Sequence, residues 1–299
     1  MRVSTINTPS AAENSAGRGL RDMATMAFFE LYPFQWQLQA LETLRLGEHA
    51  GNTLRGALGM ALADSPDYAR WFRPESGGLG PSGLADPPRP FVLRASHLDG
   101  AELRAGEAFG FSLHSFETRE SRLRLLSQAI ARMAEAGLGP GRGRARAVAV
   151  EGAERVRLPL DRVEGLRRVR IRFLTPTELK GMDGGLTFGA LFARARDRVS
   201  TLTGLYGAGP LEGVDFRGLG ERALQVKITA SSLHGAAQVD RRSTRTGQTH
   251  GLNGFVGEAE FEGEDLGEFV PWLEAAAWTG VGRQTVWGKG AIEVTRLPL

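Results

Sequence analysis

The 299-residue chain contains no cysteine. That excludes disulfides, thiolate zinc sites and cysteine nucleophiles, and it suits a reducing cytoplasm. Lysine is scarce as well: only Lys180, Lys227 and Lys289 occur among 37 cationic residues, so 34 of them are arginine. Histidine is confined to His49, His97, His114, His234 and His250. No apolar run approaches the ~20 residues of a membrane-spanning helix, and positions 1–26 lack the apolar centre of a signal sequence. HExxH, GxSxG and paired-carboxylate patterns are also missing, which removes several hydrolase classes.

What the chain has is arginine, glycine and enough apolar content to fill a core. The formal charge is only +3, so distribution matters more than total. An arginine fork pairs with phosphate through two bonds and stacks on bases, which favours nucleic acid, although codon bias accounts for an arginine excess equally well. With 41% apolar residues, the length suits two domains of ordinary size.

Periodicity supplies the element order. Residues 28–46 alternate as a strand interrupted or started at Pro33; 52–63 read as a short helix; 91–98 and 109–116 read as strands. Leu123, Leu126, Ile130 and Met133 recur at helical spacing up to Gly137, and 145–150 closes a β-α-β-β-α-β unit. The order then repeats: a strand around Val169, Ile171 and Phe173, a helix from Phe188, strands at 222–233 and 254–262, a helix over 266–277 opened near Asp265, and a last strand over 286–295. The expected fold is α+β, two tandem ferredoxin-like (RRM-like) units with a C-terminal glycine-rich loop. The expected organisation is a mobile tail over 1–24, one domain over 25–160 and a second over 161–299.

The glycine-rich segment runs from Trp278 to Val294. Gly280, Gly282, Gly288 and Gly290 let a backbone approach an anion closely, and Arg283, Gln284 and Lys289 add donors. It is neither a P-loop nor a dinucleotide fingerprint, because the residues after Gly290 alternate like a strand. A plain glycine-rich hairpin end is the competing reading.

Five motifs in order resemble one family: residues 51–62 (GNTLRGALGMAL) after the first strand, 139–143 (GPGRG) after the second helix, 174–180 (LTPTELK), 242–247 (RSTRTG) and the terminal glycine loop. Together they are similar to the CRISPR-associated repeat-processing endoribonucleases (Cas family six), part of the RAMP superfamily. The resemblance implies a protein that binds the repeat of precursor CRISPR RNA, cuts it without metal or cofactor, and works alone or beside other Cas proteins of an effector complex. In such a cut a 2′-OH attacks the adjacent phosphorus, so a base, an acid and charge stabilisation are required, and histidine fits either proton role.

His49, at the junction of the first strand and helix, sits where members of this family often hold a catalytic histidine. Tyr32 and Arg55 flank it, similar to a Tyr/His/Lys set in which arginine stabilises charge but cannot act as a base. A solvated loop residue is the alternative for His49, a packing role for Tyr32, and His234 or His250 for the chemistry. His97 and His114 fall in predicted strands and read as structural. RNA grip is expected from Arg142 and Arg144, from Arg241, Arg242 and Arg245 in a probable loop, and from Gly280, Gly282, Arg283, Gln284, Gly288, Lys289 and Gly290. The row Arg168, Arg170 and Arg172 reads as a backbone track or a solvated face. A non-cleaving RAMP subunit that caps or scaffolds guide RNA, and an unrelated basic α+β protein, are the competing readings.

Overall fold

The computed structural model describes residues 27–75, 87–180, 185–235, 240–242, 249–251 and 254–298. The tail expected over 1–24 and Arg245 lie outside the described residues.

The first unit starts with β1 (Phe28–Ala40), a strand of 13 residues whose buried side chains alternate, with a change of phase at Tyr32–Pro33. Pro33 does not interrupt it. β1 pairs with β5 over Tyr32–Gln39, with β7 over Phe28–Leu31 and with β6 over Gln35–Ala40, and Pro33 falls between the β7 and β6 pairings, where a missing N–H costs least. A short β2 (Leu44–Arg45) leads to α1 (Ala50–Ala61), whose Leu54 and Leu58 are buried, and to α2 (Tyr68–Phe72). β3 (Phe91–Arg94) is shorter than expected, because Ser96–Leu98 form a 3-10 turn that carries His97 off the strand. β4 (Glu102–Leu103) pairs with β2, and β5 (Ala108–Ser115) leads to α3 (Leu123–Ala136) and β6 (Ala145–Glu151). The sheet order is β3-β5-β1-β6, all antiparallel, which is the ferredoxin-like arrangement of second, third, first and fourth strands. One further strand, β7 (Val156–Pro159), pairs with the start of β1.

The second unit repeats the plan. β8 (Arg168–Thr177) precedes α4 (Phe188–Tyr206), which is capped by the Thr187 hydroxyl accepting from Ala190 N at 3.2 Å. The strand expected from Arg222 is instead preceded by α5 (Phe216–Ala223): Asp215 accepts from Gly218 N at 2.8 Å, and Leu219 and Ala223 are buried one turn apart. β9 (Lys227–Gly235) follows. A hairpin of β10 (Asp240–Arg242) and β11 (Thr249–Gly251) occupies part of the expected loop, so Arg241 and Arg242 are strand residues. β12 (Phe255–Glu262), α6 (Val270–Thr279) and β13 (Ile292–Leu297) complete a sheet of order β13-β8-β12-β9, again ferredoxin-like. The last strand begins six residues later than expected, since Thr285–Trp287 form a 3-10 turn.

The cores do not divide where the chain does. Buried residues between Phe34 and Ala145 supply one cluster, but Phe29 and Leu31 of β1, Val92 of β3 and Phe116 pack with Ile171, Phe192, Phe269 and Trp272 of the second unit. α6 is buried on nearly every side, as a helix apolar all round must be.

The segment after α6 wedges against α1. A Cβ at Gly51 would lie 2.5 Å from the Trp287 carbonyl oxygen, whereas at Gly56, in the same helix, it would meet nothing within 4 Å. Gly51→Ala is therefore expected to destabilise the protein by about 1–3 kcal/mol through overpacking. Gly56→Ala is expected to stabilise it by about 0.5–1 kcal/mol. Paired thermal melts showing the same sign for both would contradict this packing.

Candidate nucleic-acid interface

The glycine-rich segment folds as a closed loop. Val281 N donates to Gly290 O at 2.8 Å, Gly290 N to Pro176 O at 3.1 Å, Arg283 N to Glu178 O at 3.0 Å and Gly280 N to Ala276 O at 2.8 Å. Thr175 bridges it from β8: its hydroxyl donates to Gly288 O at 3.0 Å and accepts from Ala291 N at 2.9 Å. The amides of Gly280, Gly288 and Gly290, expected to face a ligand, are bonded within the protein, because a loop pressed between two units must satisfy its own backbone. Gly290 has φ 66° and lies so close to Val281 O that no Cβ fits. The side chains of Arg283, Gln284 and Lys289 are left to face the cavities on either side.

Two cavities flank Trp287. The smaller, about 110 Å³, is lined by His49, Asn52, Ser96, Asp99, Trp287 and Lys289. His49 occupies the cap position of α1 but its side chain makes no capping bond; Asp99 accepts from Ala50 N at 2.8 Å in its place. That frees the imidazole, and its Nε2 is buried without a hydrogen-bond partner. The Lys289 Nζ is likewise buried without one. Burial lowers the Lys289 ammonium below the usual lysine range, with Glu178 pulling the other way.

The larger cavity, about 640 Å³, lies on the other side of Trp287 between α4 and the loop, and Arg55, Arg194, Arg198 and Arg283 border it. The Arg55 guanidinium sits 5.8 Å from the Trp287 ring and 5.4 Å from Phe72. The candidate set of Tyr32, His49 and Arg55 is therefore spread out. His49 borders the small cavity and Arg55 the large one, while Tyr32 borders neither and stacks on Phe34 at 5.6 Å. Lys289, read from sequence as a grip residue, is the cation placed beside His49. Asp99 and Asn52 were not anticipated; a carboxylate 49 residues from the helix it caps has no local signature.

Other candidate contacts differ in how far they are committed. Arg142 is exposed in the 139–143 turn with φ 49°, a left-handed conformation rare for a non-glycine residue. Arg144 donates to Glu42 at 2.8 Å, and Arg283 to Glu178 at 2.8 Å. The row Arg168, Arg170 and Arg172 is not an open track: the first two pair with Glu260 at 3.0 and 2.6 Å, and the third with Glu293 at 2.7 Å. The backbones of Arg241 and Arg242 lie in the β10–β11 hairpin opposite His250 and Thr249.

A cluster of basic side chains holds the end of α6. Arg94 of β3 donates to Ala277 O at 3.0 Å and Trp278 O at 3.3 Å, Arg198 of α4 donates to Thr279 O at 3.0 Å, and His114 of β5 donates through Nδ1 to Trp278 O at 2.9 Å. Burial lowers Arg94 to about 10 and Arg198 to about 9, so both remain cations at neutral pH. Burial, with Arg94 nearby, lowers His114 to about 4 and keeps it neutral.

Two antiparallel ferredoxin-like sheets with a glycine loop wedged between them define the class: a tandem ferredoxin-like protein. Residues 171–292 match the family model for the CRISPR-associated endoribonuclease Cas6, and residues 29–163 match a second model described as an N-terminal domain. A Cas6 product complex superposes with a TM-score of 0.58 at 18% identity, covering 88% of this chain and 100% of that one. A Thermus thermophilus Cas6 superposes at 0.54 and 16%, covering 90% and 99%. A chain of a partial Cas6-RT-Cas1–Cas2 complex superposes at 0.55 and 12%, covering 90% of this chain and 46% of that one. At such identities the likeness carries the fold. No curated protein matches in sequence. Among the described residues no helix is long and apolar enough to cross a membrane.

The His114 shift yields a signed expectation. Its folded pKa of about 4 lies below the ordinary 6.5, so the unfolded chain binds more protons between those values. Stability owed to neutral His114 is fully present above about pH 6.5 and is lost as pH falls toward 4, by about 3 kcal/mol. Urea unfolding across that window should show His114→Asn lacking this part of the slope; parallel curves for variant and wild type would contradict it.

Proposed function

We propose that this protein is a metal-independent endoribonuclease that binds the repeat of precursor CRISPR RNA and cuts it by 2′-OH attack. The observation that carries this reading is the small cavity in which His49 Nε2 and Lys289 Nζ are both buried and lack hydrogen-bond partners. An unpartnered polar atom in a wall is costly unless a ligand satisfies it. An imidazole and an ammonium together fit a phosphodiester. The match of residues 171–292 to the model for a CRISPR-associated endoribonuclease supports the choice of RNA.

In the proposed step the 2′-oxygen bonds to phosphorus as the P–O5′ bond breaks. The 2′-OH proton goes to a base, an acid protonates the departing O5′, and the products are a 2′,3′-cyclic phosphate and a 5′-OH. His49 serves one of these proton transfers, and Lys289 stabilises the charge that grows on the non-bridging oxygens. Arg55 contributes charge from beyond Trp287, and Tyr32 supports the strand by packing. Arg142, Arg283 and Gln284, with Arg144, Arg241, Arg242 and Arg245, grip the strand, the ion pairs of Arg144 and Arg283 being exposed enough to exchange for phosphate. One fold relative is a chain of a Cas6-RT-Cas1–Cas2 complex, which supports association with other Cas proteins in the cytoplasm.

Single-turnover cleavage of labelled repeat RNA in EDTA is expected to proceed. It should slow by roughly 10²–10⁴-fold in His49→Ala with affinity held within a small factor. Lys289→Met should lower the rate by about 10²–10³-fold. A 2′-deoxy nucleotide at the cut should block the reaction and preserve binding; its cleavage would reject the mechanism. Tight binding of unmodified repeat without any cut would instead mark a subunit that caps or scaffolds guide RNA.

Charge reversal at Arg142 and Arg283 should weaken binding and flatten its salt dependence by ~0.7–0.9 log units for each phosphate no longer neutralised. An unchanged slope in filter-binding measurements would remove these residues from the interface.

A further inference from the structure

The larger cavity lies outside the proposed reaction centre, to which only the charge of Arg55 reaches, yet it is built like a ligand site. Its volume, about 640 Å³, is that of a pocket for a small organic molecule. Arg55, Arg194, Arg198, Arg283 and Lys180 line it against two carboxylates, Asp197, which pairs with Arg196 at 2.8 Å, and Glu178, which pairs with Arg283 at 2.8 Å, so its cations outnumber its anions. The occupant is therefore anionic. One wall is the Trp287 indole, which also lines the small cavity, so a strand whose phosphodiester sits beside His49 reaches the larger chamber across a single side chain.

Gln284 points to the kind of occupant. It borders this cavity in the left-handed region, φ 59°, where a side chain larger than glycine is held only by its surroundings. Its amide carries both a donor and an acceptor, the pair a base edge requires. Thr201, another neutral polar group there, has already given its hydroxyl to Asp197 O at 2.6 Å.

We propose that the larger cavity is a nucleotide subsite for the RNA strand next to the scissile phosphate, in which Trp287 stacks an unpaired base, Gln284 bonds to its edge, and the surrounding arginines hold its phosphate. The proposal rests on the endoribonuclease reading and adds a selectivity element to it. Stacking tolerates any base, whereas the amide discriminates among them.

The test is an abasic scan of repeat RNA by filter binding at fixed salt. In wild type one unpaired position within two nucleotides of the cut should lose about 10-fold in affinity when its base is removed. In Trp287→Ala the same abasic site should cost nothing further, and Trp287→Phe should restore the loss. At that position wild type should discriminate among the four bases, and Gln284→Ala should not. Should Trp287→Ala fail to give a cooperative thermal melt, the Gln284→Ala comparison decides alone. A flat scan with RNA still bound and cut overturns the subsite and leaves the endoribonuclease reading standing, whereas RNA neither bound nor cut ends both. Titration with AMP, GMP, CMP and UMP without RNA gives the remaining arm. Saturable binding that Trp287→Ala abolishes, alongside a flat scan, would make the occupant a free nucleotide and overturn the proposal.

Discussion

The carboxyl end of α6 is the point on which the functional region depends. A helix ends with carbonyls that have no partner inside it and with the negative pole of its dipole. Here those carbonyls, at Ala277, Trp278 and Thr279, are met by Arg94, His114 and Arg198 from three different elements. Two guanidiniums buried close together repel, and only the converging carbonyls make their burial tolerable. Because β3 and β5 belong to the first unit and α4 and α6 to the second, one cluster both ends the helix and joins the units.

Everything downstream inherits that placement. Gly280 leaves the helix with φ 73°, and the chain is held by the Val281–Gly290 bond and the Thr175 bridge until it enters β13. Trp287 is thus set against Gly51 of α1, and Lys289 beside His49. The histidine comes from one unit and the lysine from the other, so the small cavity exists only where the units meet. Preorganisation of this kind suits the charge stabilisation that the proposed cleavage requires, since little rearrangement would be needed.

The repeated β-α-β-β-α-β order was legible because alternation in β1 and β8 and the apolar stripes of α3 and α4 are strong, local patterns. Other parts were hidden for physical reasons. Pro33 looks like a strand breaker, and only the exchange of β7 for β6 beside it shows why it is harmless. Gly218 and Gly220 argue against a helix at α5, where the Asp215 cap and two buried residues prevail. His49 was singled out from its position before α1. Lys289 could not be paired with it, because 240 residues separate them and only the tertiary fold closes the distance. The glycines drew attention to this loop as an anion cradle, whereas several serve close packing, with their amides turned inward.

The long first strand has an evolutionary consequence. Phe29 and Leu31 fill the core of the second unit, while Phe34 to Leu38 of the same strand fill the core of the first. A recombination event that exchanged either half at the link between β7 and β8 would carry away side chains that the other half needs. Tandem units usually invite such shuffling. In this lineage the two halves are expected to be inherited together, with substitutions at Phe29 and Leu31 tracking changes in α4 and α6 more than changes in their own sheet.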